Sequence, residues 1–483
     1  MMKQFVLIWL MVTTPWLGTW SGVVHFGNEQ QPIALDIEMG KEDKPVAFLS
    51  LPEMKFHRLG PARLQAADDG GYHTRQLTLN LSQDQQALIG KWALDGNEMN
   101  FELKRGELPK VQDAPLPDGP IAKPVWTLKT GGAIWSSPSS IDGVVYFGSN
   151  DGFIYAVHAK NGKLIWKFKT AGAVFSKPTI DGKYLYALSD DGFLYKLERK
   201  SSKRVWQFDT HGGEIKRDLP GNESATYDYQ CSAASVADGA VFIGSADKRV
   251  YAIDEKTGIE KWHFDTQGVV RSTPAVANGK LFFGSYDHNV YALDAPTGKQ
   301  IWKFDTLREV VSSPLVHLGN LYIGSRSSDL FALNAESGNV LWKSFYWSSW
   351  VESSAVMRDR VLYVGSSDYQ QLLAIDPATG RKIWKFNTNG SPWSTPAVTS
   401  DLVFTGAVGV QGYIIDHHGG FFAVDRANGS PVWRYPMQPI EGRTDYGVAS
   451  SPVVAGDLVF FGGLDGTFYA FSTGASRLRK KAL

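Results

Sequence analysis

Over most of the chain, apolar and polar positions alternate in runs of four to six residues. KLFFG, NVYALD and QIWKF are examples, and Gly-, Asp- or Asn-bearing turns separate them. A period of two over runs this short predicts antiparallel strands. The runs come in sets of four. Residues 272–302, STPAVANGKLFFGSYDHNVYALDAPTGKQIW, form one complete set ending on a tryptophan. Equivalent tryptophans stand at Trp126, Trp166, Trp206, Trp262, Trp302, Trp342, Trp384 and Trp433, with gaps of 40, 40, 56, 40, 40, 42 and 49. Four strands recurring at this period are the signature of a propeller blade. A serine two places before the proline position recurs eight times: Ser136, Ser176, Ser232, Ser272, Ser312, Ser353, Ser394 and Ser450. The last set lacks its tryptophan, and Trp126 has no set before it. The pattern therefore predicts an all-β, eight-bladed ring of four-stranded sheets over 124–472, with the strand at Trp126 completing the final blade. Sealing the ring this way removes exposed sheet edges.

A large aromatic at a fixed place in each blade reads as a wedge against its neighbour. It buries ~150–250 Å², and truncating it would cost roughly 3–5 kcal/mol. The surrounding motif is Ala-x-Asp-x-x-Thr-Gly-Lys-x-x-Trp. It is complete at Ala292, Asp294, Thr297, Gly298, Lys299 and Trp302, and nearly so at Ala374, Asp376, Thr379, Gly380 and Trp384; the second unit, KLERKSSKRVW, has lost its alanine and glycine. This motif resembles the tryptophan-docking motif of the quinoprotein (PQQ-like) β-propeller superfamily, and the propeller is similar to that of outer-membrane assembly lipoproteins. The resemblance covers about residues 124–471. It implies the fold, and it leaves open two kinds of function, since the superfamily holds both dehydrogenases and non-catalytic scaffolds. The dehydrogenases use PQQ with calcium or a lanthanide, an aspartate base and an adjacent pair of cysteines. Cys231 is the only cysteine here, so no such pair can form.

The remaining segments differ in character. Residues 1–17 place Lys3 ahead of the apolar run Phe5–Val12, which predicts a secretory signal and a periplasmic protein; no cysteine lies near it to carry a lipid anchor. Residues 18–106 open on GTWSG and alternate as a small antiparallel meander, resembling the small β module that precedes the catalytic domain of some secreted hydrolases. Residues 107–123 form a proline-rich linker, and 473–483 a basic tail. Lys+Arg and Asp+Glu are each 49, so the chain has no net excess of the positive charge that nucleic-acid binding needs. No apolar run reaches 18 residues, so no membrane span is expected.

Candidate chemistry lies where the repeat is irregular. About sixteen extra residues, EIKRDLPGNESATYDYQ, enter the third unit, VGVQGYIIDHHGG the seventh, and PMQPIEGRTDYGVASS the eighth. All fall in loops expected on one face. The residue before each recurring serine varies: Trp135, Phe175, Cys231, Arg271, Val311, Glu352, Trp393, Ala449. These positions are expected at the channel mouth, with Trp135, Phe175 and Trp393 clustered and Lys177 and Arg271 adding positive charge; Glu352 completes the set. Cys231 reads as an apolar filler. The Asp of SNDG, SDDG and their equivalents reads as a turn cap, and Asp416–His418 as a solvated loop without a third metal ligand. The composite expectation is a monomeric, non-catalytic exported scaffold with no cofactor and no metal, binding an envelope protein or a small ligand through the loop-rich face. Two alternatives are a PQQ- and calcium-dependent dehydrogenase, with Arg271, Lys177 and an aromatic stack holding the quinone, and a carbohydrate-binding accessory protein.

Overall fold

A computed structural model of the chain describes residues 15–26, 29–41, 44–68, 70–107, 117–213, 215–217, 219, 227–413, 415 and 417–474. Most of the expected signal and tail, the middle of the linker, Asp416 and much of the third-unit insertion lie outside the described residues. The described part separates into two compact units, one N-terminal and one formed by the propeller.

The N-terminal unit is one antiparallel sheet of nine strands. Its first strand, Gly18–Phe26, pairs with both Glu29–Met39 and the last strand, Asn97–Arg105. The two strands at the sheet's ends are Phe56–Arg63 and Gln65–Ala66, which only Leu64 separates in the chain. A sheet whose opposite edges are consecutive in sequence must curl round until they nearly meet. Trp20, Val24, Leu35, Ile37, Leu88 and Leu103 fill it, all essentially inaccessible. In the last strand, Asn97–Arg105, buried and exposed residues alternate, as a sheet with one covered face requires.

The second unit is a ring of eight four-stranded blades. The fourth shows the plan: Ala275–Ala277 innermost, then Lys280–Gly284, Asn289–Asp294 and Gln300–Asp305 outermost. The eighth blade takes Val453–Ala455, Leu458–Gly462 and Thr467–Ser472, and its outer strand is Trp126–Lys129, with Trp126 opposite Ala470. The ring closes where the alternation predicted. Across that seam Phe147 of the first blade stacks on Phe468 of the eighth at 3.9 Å.

The tryptophans bind blade to blade. Each indole Nε1–H donates to a carbonyl just past the third strand of the next blade. The acceptor is Ala159 for Trp126, Ala295 for Trp262, Ala335 for Trp302 and Thr473 for Trp433, at 2.9–3.3 Å. The motif's glycine does more than turn the chain. A Cβ on Gly298 would lie 2.7 Å from the Trp262 ring, and its φ of +71° is one that L side chains rarely adopt. The indole therefore rests on bare backbone of its neighbour. In the second blade, where the motif has decayed, Lys196 replaces the alanine opposite Trp206. It is 1% exposed. Its ammonium bonds to the Glu255 carbonyl and Oε1 at 2.6 and 2.7 Å and lies 3.9 Å from the Tyr184 ring. A paired, ring-stacked cation thus fills the gap that the motif left.

The recurring aspartate is indeed a turn cap, and it also joins strands. Asp287 accepts from the Asn289 N–H at 3.1 Å, the Gln267 N–H at 2.9 Å and the Tyr291 hydroxyl at 2.8 Å.

Trp302 is 9% exposed, whereas Ile259 on another outer turn is 67% exposed. Trp302→Ala should lower unfolding free energy by about 3–5 kcal/mol, and Ile259→Ala should change it by less than about 0.5 kcal/mol. Equilibrium denaturation of the two variants checks this.

Candidate functional site

In each blade the loop that enters the inner strand carries the recurring serine. Ser136 Oγ accepts the Gly148 N–H at 3.0 Å and donates to the Ser176 carbonyl at 2.7 Å. Ser232, Ser394 and Ser450 receive the corresponding N–H at 2.7–3.0 Å. The bond pins the loop to the second strand, so the residue before the serine is held over the channel.

Trp135, Phe175 and Trp393 do come together, but beneath protein. Each is 5–6% exposed. Tyr229, from the end of the third-unit insertion, lies between them, 4.5 Å from Trp393 and stacked at 22°, and 5.5 Å from Trp135. The Tyr229 hydroxyl donates to Glu352 Oε2 at 2.5 Å, and Arg326 Nε donates to Glu352 Oε1 at 2.7 Å. Burial, then the Glu352 carboxylate, hold the Tyr229 phenol well above its ordinary pKa, so it remains a donor. Beside it Arg271 Nε donates to Asp228 Oδ1 at 2.7 Å. Arg217 pairs with Asp190 at 2.6 Å and lies 4.2 Å from the Phe175 ring. The charges of Arg271 and Glu352 are thus met from within the chain. The loop-face mouth is stoppered by the insertion's last residues, which span from the third blade to the sixth.

Below this layer lies a cavity of about 720 Å³, lined among others by Trp135, Phe175, Lys177, Tyr229, Cys231 and Trp393. It continues along the innermost strands, where Ser139, Thr179 and Val453 face it. Around it runs a belt made by the residue after each recurring serine: Ser137, Lys177, Ala233, Thr273, Ser313, Ser354, Thr395 and Ser451. Backbone N–H groups donate round the belt at 2.8–2.9 Å, from Ala233 to Thr273, Thr273 to Ser313, Ser313 to Ser354, Thr395 to Ser451 and Ser451 to Ser137. Lys177 reaches into the lumen. Desolvation lowers its pKa from the ordinary lysine value. No carboxylate pairs with it among the described residues. Burial likewise raises the pKa of the Cys231 thiol, which makes it a poor nucleophile.

Apart from Lys177, the belt is absent from the expected site, as are Tyr229, Asp228, Arg326 and Arg217. The belt had a readable signal: six hydroxyls in eight equivalent positions. Asp228 and Tyr229 occur once, in an insertion, and their partners lie 43 and 123 residues away.

Arg271 is spent on Asp228, and the aromatic rings stack on each other with Tyr229 between them. Among the described residues no three His, Cys, Asp or Glu side chains converge on a metal position.

With this geometry in place, comparison with known proteins is informative. The family described as outer membrane protein assembly factor BamB (PQQ_2) is matched over residues 120–230, 229–344 and 287–482. The chain belongs to this PQQ-like propeller family. No curated protein matches it significantly. Among solved structures, the computationally designed Ika8 protein is similar, with TM-score 0.57 and 15% identity over 72% of this chain and 99% of that one. So is the quinohemoprotein alcohol dehydrogenase ADHIIG of Pseudomonas putida HK5, with TM-score 0.55 and 16% identity over 74% and 78%. BamB from Moraxella catarrhalis aligns with TM-score 0.48 and 18% identity over 71% and 93%. A designed ring and an oxidoreductase on the same fold show that the architecture does not select an activity. No helix among the described residues is long and apolar enough to cross a membrane.

One titration follows from this layer. Burial raises the pKa of Asp368 from 3.8 to about 7, opposed by a 3.3 Å hydrogen bond from Tyr413 and reinforced by Glu352. Between those two pH values the folded chain holds a proton that the unfolded chain has released, so stability falls as pH rises through that window. Asp368→Asn stays neutral throughout. Its melting temperature relative to the parent should climb between about pH 4 and about pH 7 and level off above that; a flat difference would show a solvated carboxylate.

Proposed function

We propose that this protein is an exported, monomeric, non-catalytic propeller that works in the cell envelope by docking a protein partner on its loop-rich face. The observation that carries the reading is the stopper. Asp228 and Tyr229 fill the channel mouth on that face, and their partners Arg271 and Glu352 are neutralised inside the protein. A mouth closed by satisfied charges leaves no passage there for substrate, while the loops around it offer a broad surface. The eighth-unit insertion lies on that face and is tied in by its own strand, Asp445–Gly447, paired to Val408–Val410. The segment Pro439–Thr444 forms a shallow groove with Gln411. The family's description as an assembly factor of the outer membrane favours an envelope protein as the partner. The quinone-dependent alternative is disfavoured by the spent Arg271 and the absent cysteine pair, and the carbohydrate-binding alternative by the burial of all three clustered aromatic rings.

The test is crosslinking and co-purification of the full chain from intact cell envelopes. Glu441→Lys with Thr444→Lys, two exposed positions in the groove, should reduce recovery of any specific partner several-fold without shifting the melting temperature. In parallel, PQQ with calcium should neither quench tryptophan fluorescence saturably at micromolar concentration nor support dye reduction with alcohols. Saturable quenching lost in Arg271→Ala would overturn the non-catalytic reading.

A further inference from the structure

Several charged side chains beneath the propeller's loop end pair with one another. Arg217 and Arg271 face Asp190 and Asp228, and Arg326 faces Glu352. Lys177, which lines the cavity, has no such carboxylate partner among the described residues. Its side chain is exposed to that space, and it replaces the hydroxyl found at six of the eight equivalent belt positions.

The belt points the same way. Each of Ser137, Thr273, Ser313, Ser354 and Ser451 accepts a backbone N–H from the blade before it through its oxygen. None of the five gives its own proton to a protein atom among the described residues. The hydroxyls one layer further along behave differently. Ser139 donates to the Pro178 carbonyl at 2.5 Å and Thr179 to the Ala234 carbonyl at 2.7 Å. Donors that could have been satisfied within the wall, as those are, instead remain available to the lumen. The buried indole N–H of Trp135, at the closed end, also lacks an acceptor. Donors in excess around one cation, with no carboxylate to compete, make a receptor for negative oxygen atoms. At about 720 Å³ the space is of the size that holds small molecules.

We propose that the lumen binds a small oxyanion, a carboxylate or a phosphate, with Lys177 as counter-charge and the belt hydroxyls of Ser137, Thr273, Ser313, Ser354 and Ser451 as hydrogen-bond donors. The site faces the channel interior and not the partner-docking loops, so its failure would leave the docking reading standing, and the reverse holds as well.

The experiment titrates full-length protein with inorganic phosphate and, separately, with citrate, at ionic strength held constant by chloride. It is followed by calorimetry and by the fluorescence of Trp135 and Trp393 at the cavity's closed end. At least one anion should bind saturably above the chloride background; a preference for phosphate or for citrate identifies which oxyanion class the lumen takes. Lys177→Met should weaken it at least about tenfold, the loss of one charge-assisted bond. Lys177→Arg should stay within about threefold, and Ser313→Ala with Ser354→Ala should weaken binding with Lys177 intact. The proposal is overturned if neither anion binds above background or if Lys177→Met binds as the parent does.

Discussion

An indole laid across a neighbour's bare backbone is the contact on which this ring depends. Each blade is too thin to bury both faces of its own sheet, so it borrows the next blade's surface. The Nε1–H bond fixes where the indole sits, and the glycine beneath it sets how closely the sheets approach. Because the arrangement repeats around a closed circle, an error in one angle would be passed to every later blade. The second blade shows how much latitude exists. Lys196 and Ser202 occupy the alanine and glycine places, and a buried ion pair with Glu255 holds the register that small residues hold elsewhere.

Regularity at the rim of the ring frees its axis. The repeated serine anchors each inner loop, so the side chains on either side of it project to defined heights in the channel. Those before the serine form an aromatic and ionic layer, and those after it a belt of donors. Two chemically different storeys thus arise from adjacent residues in one motif. The upper is dense and its charges are paired, the lower hollow and short of acceptors.

Much of this was readable from spacing alone. Blade number, strand number and the seam at Trp126 all follow from a period that recurs eight times, because a repeated structural demand leaves a repeated residue. The N-terminal sheet was legible as a meander, though its near closure depends on edge strands joined through Leu64, which alternation cannot reveal. The site was legible only in part. Trp135, Phe175 and Trp393 could be placed together because their positions are equivalent. Their burial could not be foreseen, since the lid over them is Tyr229, in an insertion without counterpart. Pairings such as Asp228 with Arg271 happen once and obey no period, so only the folded chain displays them.

The join between Trp126–Lys129 and Thr467–Ser472 has a consequence for synthesis. The strand that finishes the circle leaves the ribosome before any other part of the propeller, and its partner leaves last. Until then the opening strand has no sheet to enter and the opening indole's own blade does not exist. Seven sheets can assemble in order as they emerge, yet the architecture stays an open arc through nearly the whole of translation, and completion is a single late event linking the two extremes of the domain.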